Sequence, residues 1–189
     1  METKNRILTK ARKMFVKQGI RCITMDYIAN DLGISKRTIY RHFKDKKELL
    51  INCIKTQMVV QKTKDDDIII KAPNCLVAFF KFMENSMTSL KAVNPNYFAD
   101  LEKYYPEIWE SKIIEYENYR LNRITELLKR GKNKSLLRED LDVEIIAITT
   151  QNMLKSLSTP FLIPRKKHST KRIFENTIEN YFRGLLSQK

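Results

Sequence analysis

The sequence predicts an all-α protein, on three observations. Apolar residues recur every three or four positions along most of the 189-residue chain, the spacing that places them on one face of a helix. Glycine is scarce, with four in the chain, and the five prolines fall between the periodic segments rather than inside them. We therefore expect a three-helix domain over residues 1–47 and a helical bundle over residues 48–189, with a fourth helix, at about residues 46–64, bridging the two.

The first helix is expected over residues 3–18. Thr3 can cap its start, and Gly19 can end it. Its apolar stripe consists of Ile7, Leu8, Ala11, Met14 and Phe15. Basic residues interrupt this stripe, and no apolar run of 18 residues occurs anywhere in the chain, which argues against a signal peptide and against a membrane span. We therefore expect a cytoplasmic protein.

Residues 24–43 are predicted to form two short helices joined by a turn. Thr24 is a good N-cap for the first of them. Gly33 follows where helices commonly end in a left-handed conformation, which glycine adopts without a steric penalty. Ser35 can then cap the second helix, which is expected over residues 36–43.

The second helix of this motif has two chemically different faces. Ile39 and Phe43 share the apolar face. The other side carries hydroxyl and cationic side chains with an imidazole at its edge: Arg37, Thr38, Tyr40, Arg41 and His42. A guanidinium can form two hydrogen bonds with a guanine edge, and hydroxyls suit phosphates or base edges. This face therefore suits a helix that lies in the major groove of DNA.

The start of helix four adds a second feature of this kind. Asp45 with Glu48 resembles a capping box that would open the helix. Lys46 and Lys47 lie in its first turn, where contacts with phosphates would be made.

The charge of the chain agrees with a polyanionic partner. There are 36 Lys and Arg against 22 Asp and Glu, a net charge of +14, and the pI is near 9.7. Residues 1–50 hold 13 of the basic and 5 of the acidic residues, more than half of the excess. Charge alone would also fit a lysine-rich solvated surface. Together with the two-helix motif, it favours DNA binding.

This stretch resembles the N-terminal DNA-binding domain of TetR-family transcriptional regulators. The resemblance rests on Thr24, Ile28, Ala29, Leu32, Gly33, Ile34, Ser35, Thr38, Tyr40, Phe43, Lys46 and Leu49. One departure is Arg37, where many members carry a small residue, and it adds a charge to the groove-facing side. The candidate DNA-binding residues are Thr24, Tyr27, Ser35, Lys36, Arg37, Thr38, Tyr40, Arg41, His42 and Lys46.

The rest of the chain is expected to contain further helices. Helix four should end near the acidic run at residues 65–67, because carboxylates are unfavourable at a helix C-terminus. The apolar periodicity then predicts helices at about residues 75–91, 97–104, 106–129, 143–158 and 169–187.

The last two of these helices carry wide apolar faces. The candidate dimer-interface residues are Ala147, Thr150, Met153, Leu154 and Leu157 in the first helix and Phe174, Ile178, Tyr181, Phe182 and Leu185 in the second. These faces could instead cover the protein's own core. The TetR resemblance implies a homodimer in which the last two long helices of each subunit form a four-helix bundle. Such a dimer would bind a near-palindromic site on double-stranded DNA.

Aromatic and methionine side chains are dense between residues 79 and 119. Stripes of this kind are usually bundle packing, and methionines fill irregular gaps without any ligand. The TetR resemblance implies an effector pocket in this bundle, and the residue types would suit a small hydrophobic or aromatic effector. The candidate pocket residues are Phe79, Phe80, Met83, Met87, Phe98, Tyr105, Trp109, Tyr116 and Tyr119.

No sequence feature supports catalysis, a cofactor or a metal site. The only histidines, His42 and His168, lack the signature of a Ser/His/Asp arrangement. Cys22, Cys53 and Cys75 are widely spaced without a histidine nearby, so a zinc site is not expected. Buried reduced thiols are the expectation, with an exposed redox-sensing cysteine as the alternative.

The sequence thus predicts a sequence-specific DNA-binding transcriptional regulator rather than an enzyme. The leading hypothesis is a homodimeric repressor that a small hydrophobic effector releases from a palindromic operator. The alternative is a DNA-binding regulator or adaptor controlled by a protein partner. Activation instead of repression also stays open, because the sign depends on where the operator lies relative to a promoter.

Overall fold

A computed structural model describes residues 2–91, 93–158 and 168–187. Within these ranges the regular elements are helices, and the only β-type pairing is one isolated bridge between Leu137 and Leu186. The predicted all-α fold class is therefore confirmed. None of the described helices combines the length and the apolar character needed to cross a membrane.

The helices follow one another closely along the chain. In order they are α1 (Glu2–Gln18), α2 (Met25–Leu32), α3 (Lys36–Tyr40), α4 (Lys46–Lys71), α5 (Cys75–Lys91), α6 (Pro95–Tyr104), α7 (Pro106–Ile108), α8 (Ile114–Asn133), α9 (Val143–Ser158), α10 (Thr170–Phe174) and α11 (Asn180–Arg183). Two π-helical segments connect helices without a break: Trp109–Ile113 joins α7 to α8, and Glu175–Glu179 joins α10 to α11.

The chain divides into two compact units. The N-terminal unit contains Met1–Lys62 and Ala92–Glu115, and the C-terminal unit contains Thr63–Lys91 and Tyr116–Lys189. Helix α4 contributes residues to both. The predicted domain boundary after residue 47 separates the proposed DNA-reading helices from the rest of the chain. It stays a prediction.

The core of the N-terminal unit fixes the two-helix motif. Buried apolar side chains come from each helix around it: Ile7, Ala11, Met14 and Phe15 in α1, Ile28 and Ala29 in α2, Ile39 in α3, and Leu49, Leu50 and Cys53 in α4. Phe43, which follows α3, is also buried. Each of the larger side chains among them, Ile, Leu, Met or Phe, stabilises the fold by about 1.5 to 3 kcal/mol relative to its exposed state. The predicted apolar stripe of helix one is confirmed, although Leu8 is only partly buried.

The C-terminal unit has its own apolar core, built from α5, α8, α9 and the segment from α10 to α11. Three phenylalanine rings meet there. The ring of Phe182 stacks on that of Phe79, with centroids 4.1 Å apart, and meets Phe80 edge-on at 5.0 Å. Aromatic contacts of this geometry add to the stabilisation from area burial alone.

Helix α4 is longer than predicted. It was expected to end at about residue 64, before the acidic run, but it continues to Lys71. Asp65 is buried and accepts hydrogen bonds from Nδ2 of Asn85 and the hydroxyl of Tyr116. Because these partners, distant in sequence, stabilise the buried Asp65 carboxylate, α4 does not end at the acidic run.

Helix α3 is shorter than the predicted 36–43 and ends at Tyr40. The backbone N–H groups of His42 and Phe43 both donate to the carbonyl of Ile39, at 2.9 and 3.0 Å. This tight turn ends the helix and directs the Phe43 ring into the core. Two smaller differences lie further along, where α8 extends to Asn133 and the last helix ends at Arg183.

Candidate functional site

The turn between α2 and α3 has the predicted glycine geometry. Gly33 has φ 66° and ψ 31°, in the left-handed region. Its N–H and that of Ile34 donate to carbonyls in the last turn of α2, those of Asn30 and Ala29, each at 3.1 Å. A Cβ at residue 33 would meet nothing within 4 Å, so the requirement for glycine comes from the backbone conformation and not from crowding.

Both predicted N-caps are present. Oγ1 of Thr24 accepts a hydrogen bond from the N–H of Tyr27 at 3.0 Å, and Oγ of Ser35 accepts one from the N–H of Thr38 at 3.1 Å. The hydroxyls of Ser35 and Thr38 are also hydrogen-bonded, at 2.9 Å. These caps satisfy amides that the helix itself leaves without a partner, and they fix where each helix begins.

The outer side of α3 is open to solvent. Arg37 and Arg41 are exposed, and neither guanidinium forms an ion pair with another residue in the described ranges. Tyr27 and Tyr40 are 43% and 44% exposed, which is high for aromatic side chains. Two free cations and two exposed phenols on one surface provide donors for phosphates and base edges.

Lys36 and His42 lie at the edge of this surface. Nζ of Lys36 is 2.7 Å from Oδ2 of Asp26 in an exposed ion pair, and this hydrogen bond raises the pKa of Lys36. His42 is half-buried, with its ring centroid 6.5 Å from that of Phe43. A cation already paired with a carboxylate is a weaker phosphate ligand than a free one, so Lys36 contributes less than its position in the sequence suggests.

Lys46 has a contact that the sequence did not predict. Its Nζ donates to the carbonyl of Ile20 at 2.7 Å, in the loop between α1 and α2. Burial lowers the pKa of Lys46. The ammonium is therefore directed toward the protein, and the structure favours a positioning role over the predicted phosphate contact.

The capping box at the start of α4 is confirmed, with one change of partner. Oδ1 of Asp45 accepts from the N–H of Glu48 at 2.7 Å, and Oε2 of Glu48 accepts from the N–H of Lys44 at 2.6 Å. The side chain of Lys44 is exposed beside this box. Lys44 is a cation at the helix start that the sequence analysis did not single out.

The loop before α2 is held by a carboxylate that the sequence analysis also did not identify. Oδ2 of Asp100, in α6, accepts hydrogen bonds from the N–H groups of Ile20 and Arg21, both at 2.8 Å. Gly19 has φ 88°, and a Cβ there would lie 3.3 Å from the same oxygen. Asp100 thus accepts from two N–H groups of this short loop, and Lys46 donates to one of its carbonyls. A cleft of about 570 Å³ opens beside it.

A sequence profile of bacterial regulatory proteins of the tetR family matches residues 7–53, which contain α2, α3 and the start of α4. This part of the chain belongs to the TetR family. Members of this family are DNA-binding transcriptional regulators and not enzymes, which agrees with the sequence-based prediction.

Relatives of known sequence and structure resemble this TetR-family chain over most of its length. An HTH-type transcriptional regulator of Staphylococcus aureus (strain USA300) is 25% identical over 144 residues, covering 67% of this chain and 78% of the relative. A transcriptional regulator from Saccharomonospora viridis, in complex with choline, superposes with a TM-score of 0.79 at 18% identity, covering 99% of both chains. The fatty acid degradation regulator FadR of Bacillus halodurans gives 0.77 at 20% identity, covering 100% of this chain and 98% of FadR.

The candidate effector residues are divided between the two compact units. Phe98, Tyr105 and Trp109 belong to the N-terminal unit, whereas the other six belong to the C-terminal unit. Within the C-terminal unit, Phe79 and Met83 are fully buried and are part of the apolar core. The effector pocket that these residues are expected to line stays a prediction.

The candidate interface residues differ in how far they are buried. Six of them are buried inside their own subunit: Ala147, Thr150, Leu154, Ile178, Phe182 and Leu185. Met153, Phe174 and Tyr181 are partly buried against the same core, and the side chain of Leu157 lies outside the described residues. The alternative, that these faces cover the protein's own core, is the better description. The opposite side of α9 exposes Ile145 and Ile148, by 61% and 43%.

The cysteines divide by burial. Cys53 and Cys75 are buried, and burial raises the pKa of the Cys53 thiol to about 12. Cys22 is exposed, contrary to the expectation of buried thiols, and its Sγ is 3.0 Å from the carbonyl of Gln18. In the described part of the chain, no three His, Cys, Asp or Glu side chains are grouped as a metal ion would require.

Proposed function

We propose that this TetR-family regulator is a cytoplasmic homodimeric repressor that binds a near-palindromic operator and leaves it when a small hydrophobic effector binds. The observation that carries the proposal is the solvent-exposed side of α3, with Arg37 and Arg41 free of ion pairs among the described residues. The left-handed Gly33 and the Ser35 cap fix the turn from which that helix begins. Two such helices in a two-fold dimer would reach major grooves about 34 to 36 Å apart, or a multiple of that distance.

We assign the contacts of this surface by their chemistry. Arg37 and Arg41 would contact base edges, since a guanidinium pairs with O6 and N7 of guanine. Tyr27, Tyr40 and the capping hydroxyls would contact phosphates, and Lys44 would take the place proposed earlier for Lys46. Selection of bound sequences from random duplex DNA tests the assignment. A palindromic consensus supports the proposal, and binding that is weak, salt-sensitive and independent of sequence contradicts it.

Arg37→Ala is expected to weaken binding to the selected operator by about 1 to 3 kcal/mol and to relax the preference at one position in each half-site. The reason is the loss of a bidentate hydrogen bond to one base, with the rest of the surface unchanged. Repeating the selection with the variant measures both effects. Lys129→Ala, which removes an exposed cation from α8, is the matched control for net charge. An unchanged consensus would show that Arg37 does not contact a base.

The dimer surface is proposed to include Ile145 and Ile148 of α9. Both are large apolar side chains on the side of α9 that the subunit core leaves exposed. Apolar side chains exposed next to each other commonly mark a protein interface. The two-fold dimer would then bury them against the same residues of the second subunit.

Ile148→Glu is expected to convert the dimer to a monomer in light scattering at micromolar concentration. A carboxylate buried in an apolar interface without a partner costs several kcal/mol, and about 2.7 kcal/mol already weakens dimerisation 100-fold. Ile70→Glu is the control, because Ile70 of α4 is even more exposed. A dimer that persists in Ile148→Glu and dissociates in Ile70→Glu would place the interface elsewhere.

The effector is proposed by analogy with structural neighbours. One neighbour was solved in complex with choline, another is described as a ketosteroid regulator, and a third as a fatty acid degradation regulator. The apolar core of the C-terminal unit would suit a ligand of similar size, and α4 links that unit covalently to the DNA-reading helices. A compound that releases the operator supports the proposal. Release only on addition of a protein would favour the adaptor alternative.

A further inference from the structure

Among the described residues, three charged or amide side chains are buried in the C-terminal unit, one on each of helices α4, α8 and α9. They are Asp65, which is fully buried, and Arg120 and Gln151, which are 7% and 8% exposed. Charged side chains are almost never buried to this degree unless they are paired. The hydrogen bonds of each of these three side chains therefore show whether its polar atoms find their partners within the described residues.

Asp65 is well supplied with donors. Nδ2 of Asn85 donates to Oδ1 at 2.8 Å, and the hydroxyl of Tyr116 donates to Oδ2 at 3.1 Å. The negative charge of Asp65 also lies close enough to Arg120 to offset part of the effect of burial, which lowers the pKa of the guanidinium. Asp65 thus provides partial charge balance for Arg120, while its oxygens accept from other groups.

Arg120 has an edge without acceptors. Neither Nε nor Nη2 has a hydrogen-bond partner among the described residues, and both atoms are buried. These two nitrogens carry the parallel N–H groups on one edge of the guanidinium, which bind both oxygens of a carboxylate. An unpaired guanidinium inside a protein is strongly unfavourable, so this edge is suited to an acceptor that comes from outside the chain.

Gln151, in α9, also has a buried polar atom without a hydrogen-bond partner among the described residues. Its Nε2 donates to the carbonyl of Glu117 at 3.2 Å, one turn before Arg120 in α8, whereas its Oε1 has no partner within the described residues. The Glu117 carboxylate pairs with Nζ of Lys155 at 2.5 Å and also offsets part of the effect of burial on Arg120, but neither Nε nor Nη2 of Arg120 donates to it. The vicinity of Arg120 thus offers an unused donor edge and an unused acceptor.

The surroundings of this polar group are apolar. Ile124, one turn after Arg120 on the same side of α8, is fully buried in the core, and Leu121 packs against that core. The core also contains Met83 and Met87 of α5, whose flexible side chains adapt to a ligand. A molecule that binds Arg120 would therefore place its remaining atoms among hydrocarbon side chains.

We propose that the effector is a carboxylate with an apolar tail, and that the Nε and Nη2 edge of Arg120 binds its carboxylate. The inference rests on the proposed effector-responsive function and specifies the chemical class of the ligand. A neutral ketone or ester offers one carbonyl oxygen and matches only half of the donor edge. An alcohol offers one hydroxyl and adds no negative charge to the partial balance that Asp65 gives Arg120.

The test uses the purified full-length protein and a series of straight-chain carboxylates, namely butanoate, octanoate and dodecanoate. Isothermal titration measures the binding of each acid and of its methyl ester. We expect at least one acid to bind about tenfold or more tightly than its ester. Arg120→Lys, which keeps the charge but loses the paired N–H edge, should lose that preference, and Arg130→Lys, exposed on the same helix, should keep it.

The outcomes separate this inference from the proposed function. Equal binding of acid and ester, or no binding of any acid, overturns the role of Arg120, even if Arg120→Lys does not fold, because both results come from the native protein. Release of the operator by a neutral apolar compound would then leave effector control intact. Acid binding that depends on Arg120 but leaves operator affinity unchanged would support the carboxylate site and contradict effector-controlled repression.

Discussion

Phe43→Ala is expected to destabilise the N-terminal unit by about 3 to 5 kcal/mol and to abolish DNA binding through unfolding. The Phe43 ring is 1% exposed, and the turn that ends α3 directs it into the core. The truncation removes most of this buried area and leaves a cavity under the helix that carries the DNA-contacting side chains. A loss of this size is a large fraction of the stability of an ordinary domain. Urea unfolding followed by the fluorescence of Trp109, the only tryptophan and part of the same unit, measures it.

Tyr40→Ala is the matched control for that experiment. Tyr40 belongs to the same helix but is 44% exposed, so its truncation should change the free energy of unfolding by no more than about 0.5 kcal/mol. It should still weaken operator binding if its hydroxyl contacts phosphate. If Phe43→Ala instead unfolds at the same urea concentration as the native protein and yet fails to bind DNA, Phe43 acts at the DNA surface and its burial has been misjudged.

The features that could be predicted from the sequence are those determined by a few neighbouring residues. Thr24, Gly33 and Ser35 act on backbone groups within one turn of themselves, and all three have the geometry that the sequence predicts. Helix caps and left-handed glycines depend on local sterics and hydrogen bonding, which sequence spacing records directly. For the same reason the start of α4 was predicted with the correct capping residues.

The errors have a common cause, which is a partner distant in sequence. Lys46 was assigned to phosphate, but it donates to the carbonyl of Ile20, 26 residues earlier. Asp100, which holds the same loop, is 80 residues from Ile20 and belongs to no local motif. Arg120 was not considered, because its position in an ordinary helical stretch does not reveal that it is buried without acceptors.

The burial of six candidate interface residues has a different physical reason. Helix α9 is apolar on two sides, so the sequence alone does not determine which side faces the core of the subunit. Ala147 and Leu154 occupy the inner side, whereas Ile145 and Ile148 remain exposed on the outer side. The amphipathic pattern identifies a helix that packs against other elements. Only the fold determines which elements each side of the helix contacts.

Asp65→Ala is expected to destabilise the protein by about 3 to 5 kcal/mol. The variant removes the acceptor for two buried donors, Nδ2 of Asn85 and the Tyr116 hydroxyl, and it leaves the positive charge of Arg120 without its neighbouring carboxylate. A buried donor that loses its acceptor costs the full price of its desolvation, and an uncompensated buried charge costs more. Circular dichroism during urea unfolding measures the loss.

The adjacent residue provides the control that makes the Asp65 prediction specific. Asp66→Ala removes the same carboxylate from the same turn of α4, but Asp66 is only half-buried, and it accepts from the partly exposed Arg123 at 2.8 Å and from the Tyr119 hydroxyl at 3.1 Å. An ion pair of that kind contributes about 0 to 1 kcal/mol, so Asp66→Ala should unfold close to the native protein. If the two variants lose equal stability, the effect reflects the charge of the acidic run as a whole and not the buried hydrogen bonds of Asp65. A large loss in Asp65→Ala alone would show that the tertiary contacts of this carboxylate carry α4 past the acidic run.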